Sequence, residues 1–308
     1  MARHVVVGKG PVGSTTAQLL AEQGHEVLVL SRSGGSSTDL VQHRAVDASD
    51  AAALARAAQG AAALYNAVNP AYHRWATDWP PVAAALLSAA ERTGAVLVAM
   101  GNLYGYGRPG GPMTPDSPLA ATDTKGRVRA RMWAEALAAH QAGRVRATEA
   151  RAADFVGPQV PGDHSHLTRQ LPALRAGRRA WVVGDPDAPR GWSYLPDVAA
   201  TLVVLGTDER AWGRAWHVPS AVRTQREALT DLAAALGAGT PRVSSVPWPV
   251  LRAAGLVVPF MREVVDVRHQ FDQPYVIDAS ATTATFGLEA TPWQEVVAAT
   301  AGAAAATT

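Results

Sequence analysis

The sequence predicts an α/β protein in which a doubly wound parallel sheet is followed by a smaller C-terminal α/β lobe. Strand-like and helix-like stretches alternate from residue 4 to residue 151, as parallel strands joined by crossover helices require. A glycine-rich turn joins the first strand to the first helix, and beyond Asp154 the alternation loosens into Gly/Pro-rich loops with short elements.

The first strand centres on Val5, Val6 and Val7, a continuous β-branched run of the kind buried on both faces. Gly8, Gly10 and Gly13 follow in G-x-G-x-x-G order. In that pattern the first glycine permits the tight turn, the second lets backbone approach a pyrophosphate, and the third lets the helix sit close to the strand. Pro11 suits the first helical turn, whose N-terminus can face phosphate oxygens, and Gly24 ends the helix. A second strand, Glu26 to Leu30, comes at the interval expected of a dinucleotide-binding unit, so Gly8, Lys9, Gly10, Pro11, Val12 and Gly13 are the candidate cofactor cradle.

After that strand the chain reads Ser31, Arg32, Ser33, with no carboxylate for a ribose 2′-hydroxyl. An arginine between two hydroxyls suits a 2′-phosphate, which predicts NADP(H) as cofactor. Asp47, after the third strand, is placed to touch an adenine or simply to make a turn. Asp50 is a plausible N-cap for the helix that follows.

The fourth strand, Ala62 to Asn66, runs into AVNPAYHRWATDWPP, read as a loop at a strand's carboxyl end, where ligands of open α/β sheets bind. Ala67 and Val68 are assigned to the cofactor. Tyr72, His73, Trp75 and Trp79 are assigned either to the substrate or to packing beneath the loop. Helices are predicted over Val82 to Thr93 and Thr124 to Gln141, and strands over Ala95 to Met100 and Val145 to Arg151. The Pro/Gly loops Arg108 to Ala121 and Phe155 to His166 flank the expected crevice and are predicted to be mobile. Residues 1–153 thus form a Rossmann-type domain, 154–302 mainly a substrate lobe with some segments returning to the first core, and 303–308 a flexible tail. Phe155, His164 and Trp192 are the lobe's candidate substrate contacts.

Composition narrows the function classes. In 308 residues the formal charge is +2 and scattered arginine sets the pI of 9.1, which offers no basic stripe for nucleic acid and no polybasic membrane patch. Cysteine is absent, excluding disulfides and thiolate chemistry. The first strand begins at once, so no signal peptide is expected and a cytoplasmic location is. The apolar stretch Val246 to Met261 holds Arg252 and three prolines and is too short for a bilayer, which leaves core or a pocket wall. His164 and His166 have a two-residue spacing that suits a metal, but no third ligand is apparent and none is predicted. Of the 28 basic residues only Lys9 and Lys125 are lysines. Lys9 lies in the glycine turn, near the expected phosphates.

The glycine turn, Asp47, Tyr106-Gly107, the run RAADFVGP from Arg151 to Pro158 and SYLPDVA from Ser193 to Ala199 together resemble the extended short-chain dehydrogenase/reductase superfamily, and within it the NAD(P)-dependent epimerase/dehydratase group. The resemblance covers nearly the whole chain. It implies a catalytic Ser or Thr where this sequence has Asn102, and a Tyr-x-x-x-Lys pair where the segment reads TKGRVRARMWAEAL. One superposition puts Lys125 and Arg129 at the tyrosine and lysine positions, with Lys125 then also near the cofactor ribose. A two-residue shift puts Arg127 and Arg131 there and aligns Glu135 with a common family glutamate. The departure resembles atypical members whose catalytic residues are altered or lost. The family also implies a homodimer.

Lys125 and Arg129, four apart on a helix, face the same way. If that way is the nicotinamide, they and the Asn102 amide converge on an oxygen that gains charge during hydride transfer, and Lys125 has a lowered pKa suited to giving a proton. Tyr104 is the alternative acid. An NADP-dependent reductase or epimerase of a small carbonyl or hydroxyl compound is therefore expected, and a catalytically silent NADP-binding regulator is the other reading.

Overall fold

In the computed structural model, which describes residues 1–306, seven strands form one parallel sheet. These are β1 (Arg3–Val7), β2 (Glu26–Ser31), β3 (Val41–Ala45), β4 (Ala63–Asn66), β5 (Val96–Asn102), β6 (Ala147–Ala152) and, after an excursion, β10 (Ala215–His217). Their order is β10-β6-β5-β4-β1-β2-β3, so the chain winds outward one way from β1, then reverses and winds the other. The reversal opens a crevice at the carboxyl ends of β1 and β4, the usual ligand position in such sheets.

Helices cover both faces. α1 (Pro11–Glu22) packs with α6 (Leu195–Thr207) on one face, while α2 (Ala51–Ala57), α3 (Trp75–Thr93) and α4 (Thr124–Gln141) cover the other. The Val5-Val6-Val7 run is fully buried because it faces a helix layer on each side. Asp50 caps α2 by accepting from the Ala53 amide at 2.9 Å, and Asp123 caps α4 by accepting from the Gly126 amide at 2.8 Å. α1 ends at Gly24, whose φ of +81° is left-handed.

One helix starts earlier than the sequence suggests. The segment read as a loop up to Pro81 is helical from Trp75, with Pro80 and Pro81 inside its first turns. Trp75 and Trp79 lie one turn apart and are both buried, so two indoles in the core offset the backbone bonds the prolines remove.

Two smaller sheets and the remaining helices make the second lobe. β7 (Asp154–Val156), β9 (Arg190–Tyr194) and β11 (Ala221–Arg223) form one sheet; β8 (Ala180–Val183) and β12 (Val243–Val246) form the other. α5 (Leu171–Arg175), α7 (Gln225–Ala235) and α12 (Trp293–Ala306) surround a separate core with Trp192 at its centre. α9 (Pro259–Asp266) and α10 (His269–Asp272) line the crevice, α8 (Trp248–Gly255) packs against α9, and α11 (Ser280–Phe286) packs beside β10. The tail expected from Ala303 belongs to α12 as far as Ala306, and its last two residues lie outside the described residues. Among the described residues no helix is long and apolar enough to cross a membrane. The Arg108 to Ala121 loop is anchored midway: the Met113 amide donates to the Val276 carbonyl at 2.9 Å, and the Asp278 amide to the Met113 carbonyl at 2.7 Å.

Candidate active site

A cleft of about 1000 Å³ runs from the glycine turn to α9 and α10. Its inner end is backbone. A Cβ on Gly8 would lie 2.4 Å from the Ala67 carbonyl oxygen, and one on Gly13 would lie 1.9 Å from that of Gly8, so β1, α1 and the strand end at Ala67 close on one another only as glycine. A Cβ on Gly10 would meet nothing within 4 Å. Gly10 is the N-cap of α1 and puts no side chain over the helix's first amides. Open space over bare helix-start amides fits a pyrophosphate.

Gly8, Lys9, Gly10, Pro11, Val12, Ser31, Arg32, Ser33, Asp47, Ala67 and Val68 all line the cleft, and Gly13 lies behind it. Lys9 does not reach into the space over the turn. Its ammonium donates to the Gly34 carbonyl at 2.8 Å, which also accepts from Ser31 Oγ at 2.9 Å, so both side chains shape the loop that presents Arg32. Arg32 and Ser33 are exposed at the cleft wall. Asp47 accepts from the Ser49 amide and hydroxyl, each at 2.8 Å; these bonds, with the nearby Arg32 charge, hold its carboxyl below the usual range.

Farther out, Asn102, Tyr104, Arg129, Tyr72, Trp75, Phe155 and His164 line the cleft. Asn102 Oδ1 accepts from the Tyr104 amide at 3.2 Å, so what it can offer a substrate oxygen is its amide N–H. The Tyr72 hydroxyl donates to the Tyr104 hydroxyl at 3.2 Å. Burial pushes Tyr104 up to about 12, against the Tyr72 hydrogen bond and the Arg129 charge. Arg129 is buried with its guanidinium 4.6 Å from the Trp75 ring and 4.4 Å from that of Trp79, and Nη1 donates to the Met100 carbonyl at 3.2 Å. Burial lowers it to about 10, opposed by Glu149 and Tyr104, so it remains a cation at neutral pH.

Three expected site residues are not brought here. Lys125 shares a helix with Arg129 but does not line the cleft: it is buried in an ion pair with Glu263 of α9, its ammonium 4.3 Å from the centre of the Tyr72 ring. α9 covers that part of the helix, so the two cations diverge. Burial lowers the Lys125 pKa, opposed by Asp266 and Asp123. Trp192 is core; its indole donates to the Arg223 carbonyl at 3.1 Å. His73 is exposed outside the cleft, on the turn before α3. Trp79, left between substrate and packing, is fully buried.

The stretch Val246 to Met261, left between core and a pocket wall, brings Phe260 of α9 to the cleft, whereas the rest of the wall from α9, α10 and Tyr275 was missed. Phe260, Val264, Gln270, Phe271 and Tyr275 line the cleft, while Leu256 and Val257 of the same apolar stretch are 87% and 81% exposed. Also missed is a buried chain beneath the site. Arg151 pairs with Glu149 at 2.6 Å and donates to the Tyr106 hydroxyl at 2.6 Å; that hydroxyl lies 2.7 Å from His217 Nε2, and His217 Nδ1 lies 3.0 Å from the Asp278 carbonyl. With Tyr106 donating to Nε2, the Nδ1 proton goes to Asp278. A signal existed: Glu149 and Arg151 alternate within a central strand, so both charges point to one buried face.

Residues 5–218 match the model of the NAD dependent epimerase/dehydratase family. No curated protein sequence matches the chain. Among solved structures it is similar to a dTDP-glucose 4,6-dehydratase from Bacillus anthracis in complex with NAD (15% identity, 99% of this chain and 97% of that one, TM-score 0.78). It is likewise similar to DesIV, a dTDP-glucose 4,6-dehydratase from Streptomyces venezuelae (20%, 99% and 97%, 0.78). A UDP-glucose 4-epimerase from Thermotoga maritima gives 15%, 99% and 99%, and 0.79. The family match spans well over half of the chain and takes in the glycine turn, Asn102, Tyr104 and Arg129; the protein belongs to the NAD dependent epimerase/dehydratase family.

Proposed function

We propose that the protein is an NADP-dependent reductase or epimerase of a small carbonyl or hydroxyl compound, with an altered form of the family's Ser-Tyr-Lys site. The observation that carries this is the Tyr104 hydroxyl, which lines the cleft beside Arg129 and accepts a hydrogen bond from Tyr72. A bound nicotinamide supplies the hydride acceptor or donor. Tyr104, protonated at neutral pH, gives its proton to the substrate oxygen, and the Arg129 charge and Tyr72 hydroxyl stabilise the tyrosinate left behind. The Asn102 amide donates to the same oxygen as charge gathers there. Arg32 and Ser33 favour the cofactor with a 2′-phosphate, since no carboxylate follows β2.

The test is Tyr104→Phe, followed by NADPH oxidation and, separately, NADPH binding. Turnover lost with binding retained supports the assignment; unchanged turnover removes it. A silent NADP-binding regulator is the second reading, favoured by the withdrawal of Lys125 into its pair with Glu263. NADPH binding without turnover of any carbonyl in a broad panel would select it. A homodimer, measured by light scattering, and a cytoplasmic location, measured by fractionation, belong to the same proposal.

A further inference from the structure

The outer half of the cleft is walled by rings. Tyr72 stands 5.5 Å from Phe260 and 6.3 Å from Tyr104, centre to centre, and Phe155, Phe271 and Tyr275 line the same space with Val264. The Tyr275 hydroxyl is turned away, donating to the Leu103 carbonyl at 2.9 Å, so it offers the cleft mainly its ring.

The nearby cations are already engaged. Arg129 lies between two indoles and donates to the Met100 carbonyl, Arg169 Nε donates to the Ser165 carbonyl at 3.1 Å, Lys125 pairs with Glu263, and Arg190 pairs with Asp154. A nucleoside diphosphate carries charges that call for a fork of uncommitted guanidinium or ammonium donors. One shielded cation beside Tyr104 instead suits a single oxygen that becomes negative only during the reaction.

We infer that this half of the cleft takes an uncharged, ring-bearing carbonyl compound, an aryl or cyclic ketone or aldehyde, rather than a nucleotide-linked sugar. The inference rests on the reductase reading above. The carbonyl carbon accepts hydride from NADPH, the C=O π pair moves onto oxygen, and that oxygen takes the Tyr104 proton. Tyr104 is reprotonated from solvent by way of the Tyr72 hydroxyl, leaving the alcohol and NADP⁺. Ring stacking and burial supply the affinity.

The experiment compares acetophenone and 2-acetylnaphthalene with UDP-glucose and dTDP-glucose. NADPH binding is measured first, without substrate, by its fluorescence; each compound is then titrated calorimetrically into the NADP⁺-loaded protein, and NADPH oxidation is followed in parallel. Binding of an aryl ketone at least tenfold tighter than either nucleotide sugar is expected, and Phe260→Ala should weaken it at least tenfold with NADPH affinity unchanged. Tighter binding of a nucleotide sugar, or of none of the four, overturns the inference. Aryl-ketone binding without NADPH oxidation overturns the reductase reading alone and leaves ring recognition standing.

Discussion

The inner half of the cleft is made of backbone, and most of it comes from a short stretch of chain: a strand, three glycines and the start of a helix, closed by Ala67. The outer half is made of side chains gathered from Tyr72 to Tyr275. The inner half therefore depends on the absence of side chains at a few positions and holds a common chemical group. The outer half depends on which rings and cations the tertiary fold brings forward, and it can change substrate without disturbing the cofactor. The buried Glu149–Arg151–Tyr106–His217 chain beneath the site ties β6, the turn after β5 and β10 to the segment that carries Tyr275.

Cutting the buried chain beneath the outer half should have the largest effect. Glu149→Ala leaves the buried Arg151 cation without its carboxylate, and a loss of about 3–5 kcal/mol in unfolding free energy is expected. Urea denaturation measures it, and a loss under 1 kcal/mol would show that the fold holds together without this pair.

Next comes the chemistry of the outer half. Tyr104→Phe should lower turnover about a hundredfold, on the order of 3 kcal/mol in barrier, while NADPH affinity stays within about twofold. Parallel loss of both would mean that the two halves are not separable.

Acid should weaken the fold through buried histidines. Burial lowers His217, in the buried chain, and His4, in β1 beside Tyr65, to about 4 each. With folded values below the unfolded 6.5, the unfolded chain takes up protons first as pH falls. Stability is thus full above about 6.5 and declines toward 4, by at most roughly 3 kcal/mol per group. A melting temperature flat from pH 7 to 4.5 would contradict this.

A smaller effect is expected at the inner rim. Arg32→Asp should reverse the proposed preference for NADPH over NADH, a change of about 1–3 kcal/mol between the two cofactors, with ketone binding untouched. Equal affinity for both in the unaltered protein would remove Arg32 from the site.

Lys125→Met should matter least to catalysis. Because Lys125 sits behind Tyr72 and not at the cleft surface, turnover should fall by less than about threefold, although breaking the pair with Glu263 lowers stability. A hundredfold fall in turnover would restore Lys125 to the chemistry and place α9 as a cover that moves.

The sequence by itself determined the sheet, the glycine turn and the backbone end of the cleft, because each depends on residues close in the chain. Three valines need two apolar faces, Gly8 and Gly13 need near-contact with backbone, and Asp50 needs only its own helix start. It also put Tyr104 and Arg129 on one cleft, since the turn after β5 packs on α4. What only the tertiary structure decided is which side chains share the outer cleft. Lys125 and Arg129 are equivalent by helical spacing, and their fates differ because α9, more than a hundred residues later, puts Glu263 over one and leaves the other beside the tryptophans of α3. Trp192 and Trp75 look equally suited to a ligand in the sequence. One lies wholly in the core of the second lobe and the other, though in the main core, also lines the cleft, because an indole's surroundings are settled by what packs against it and not by its neighbours in the chain.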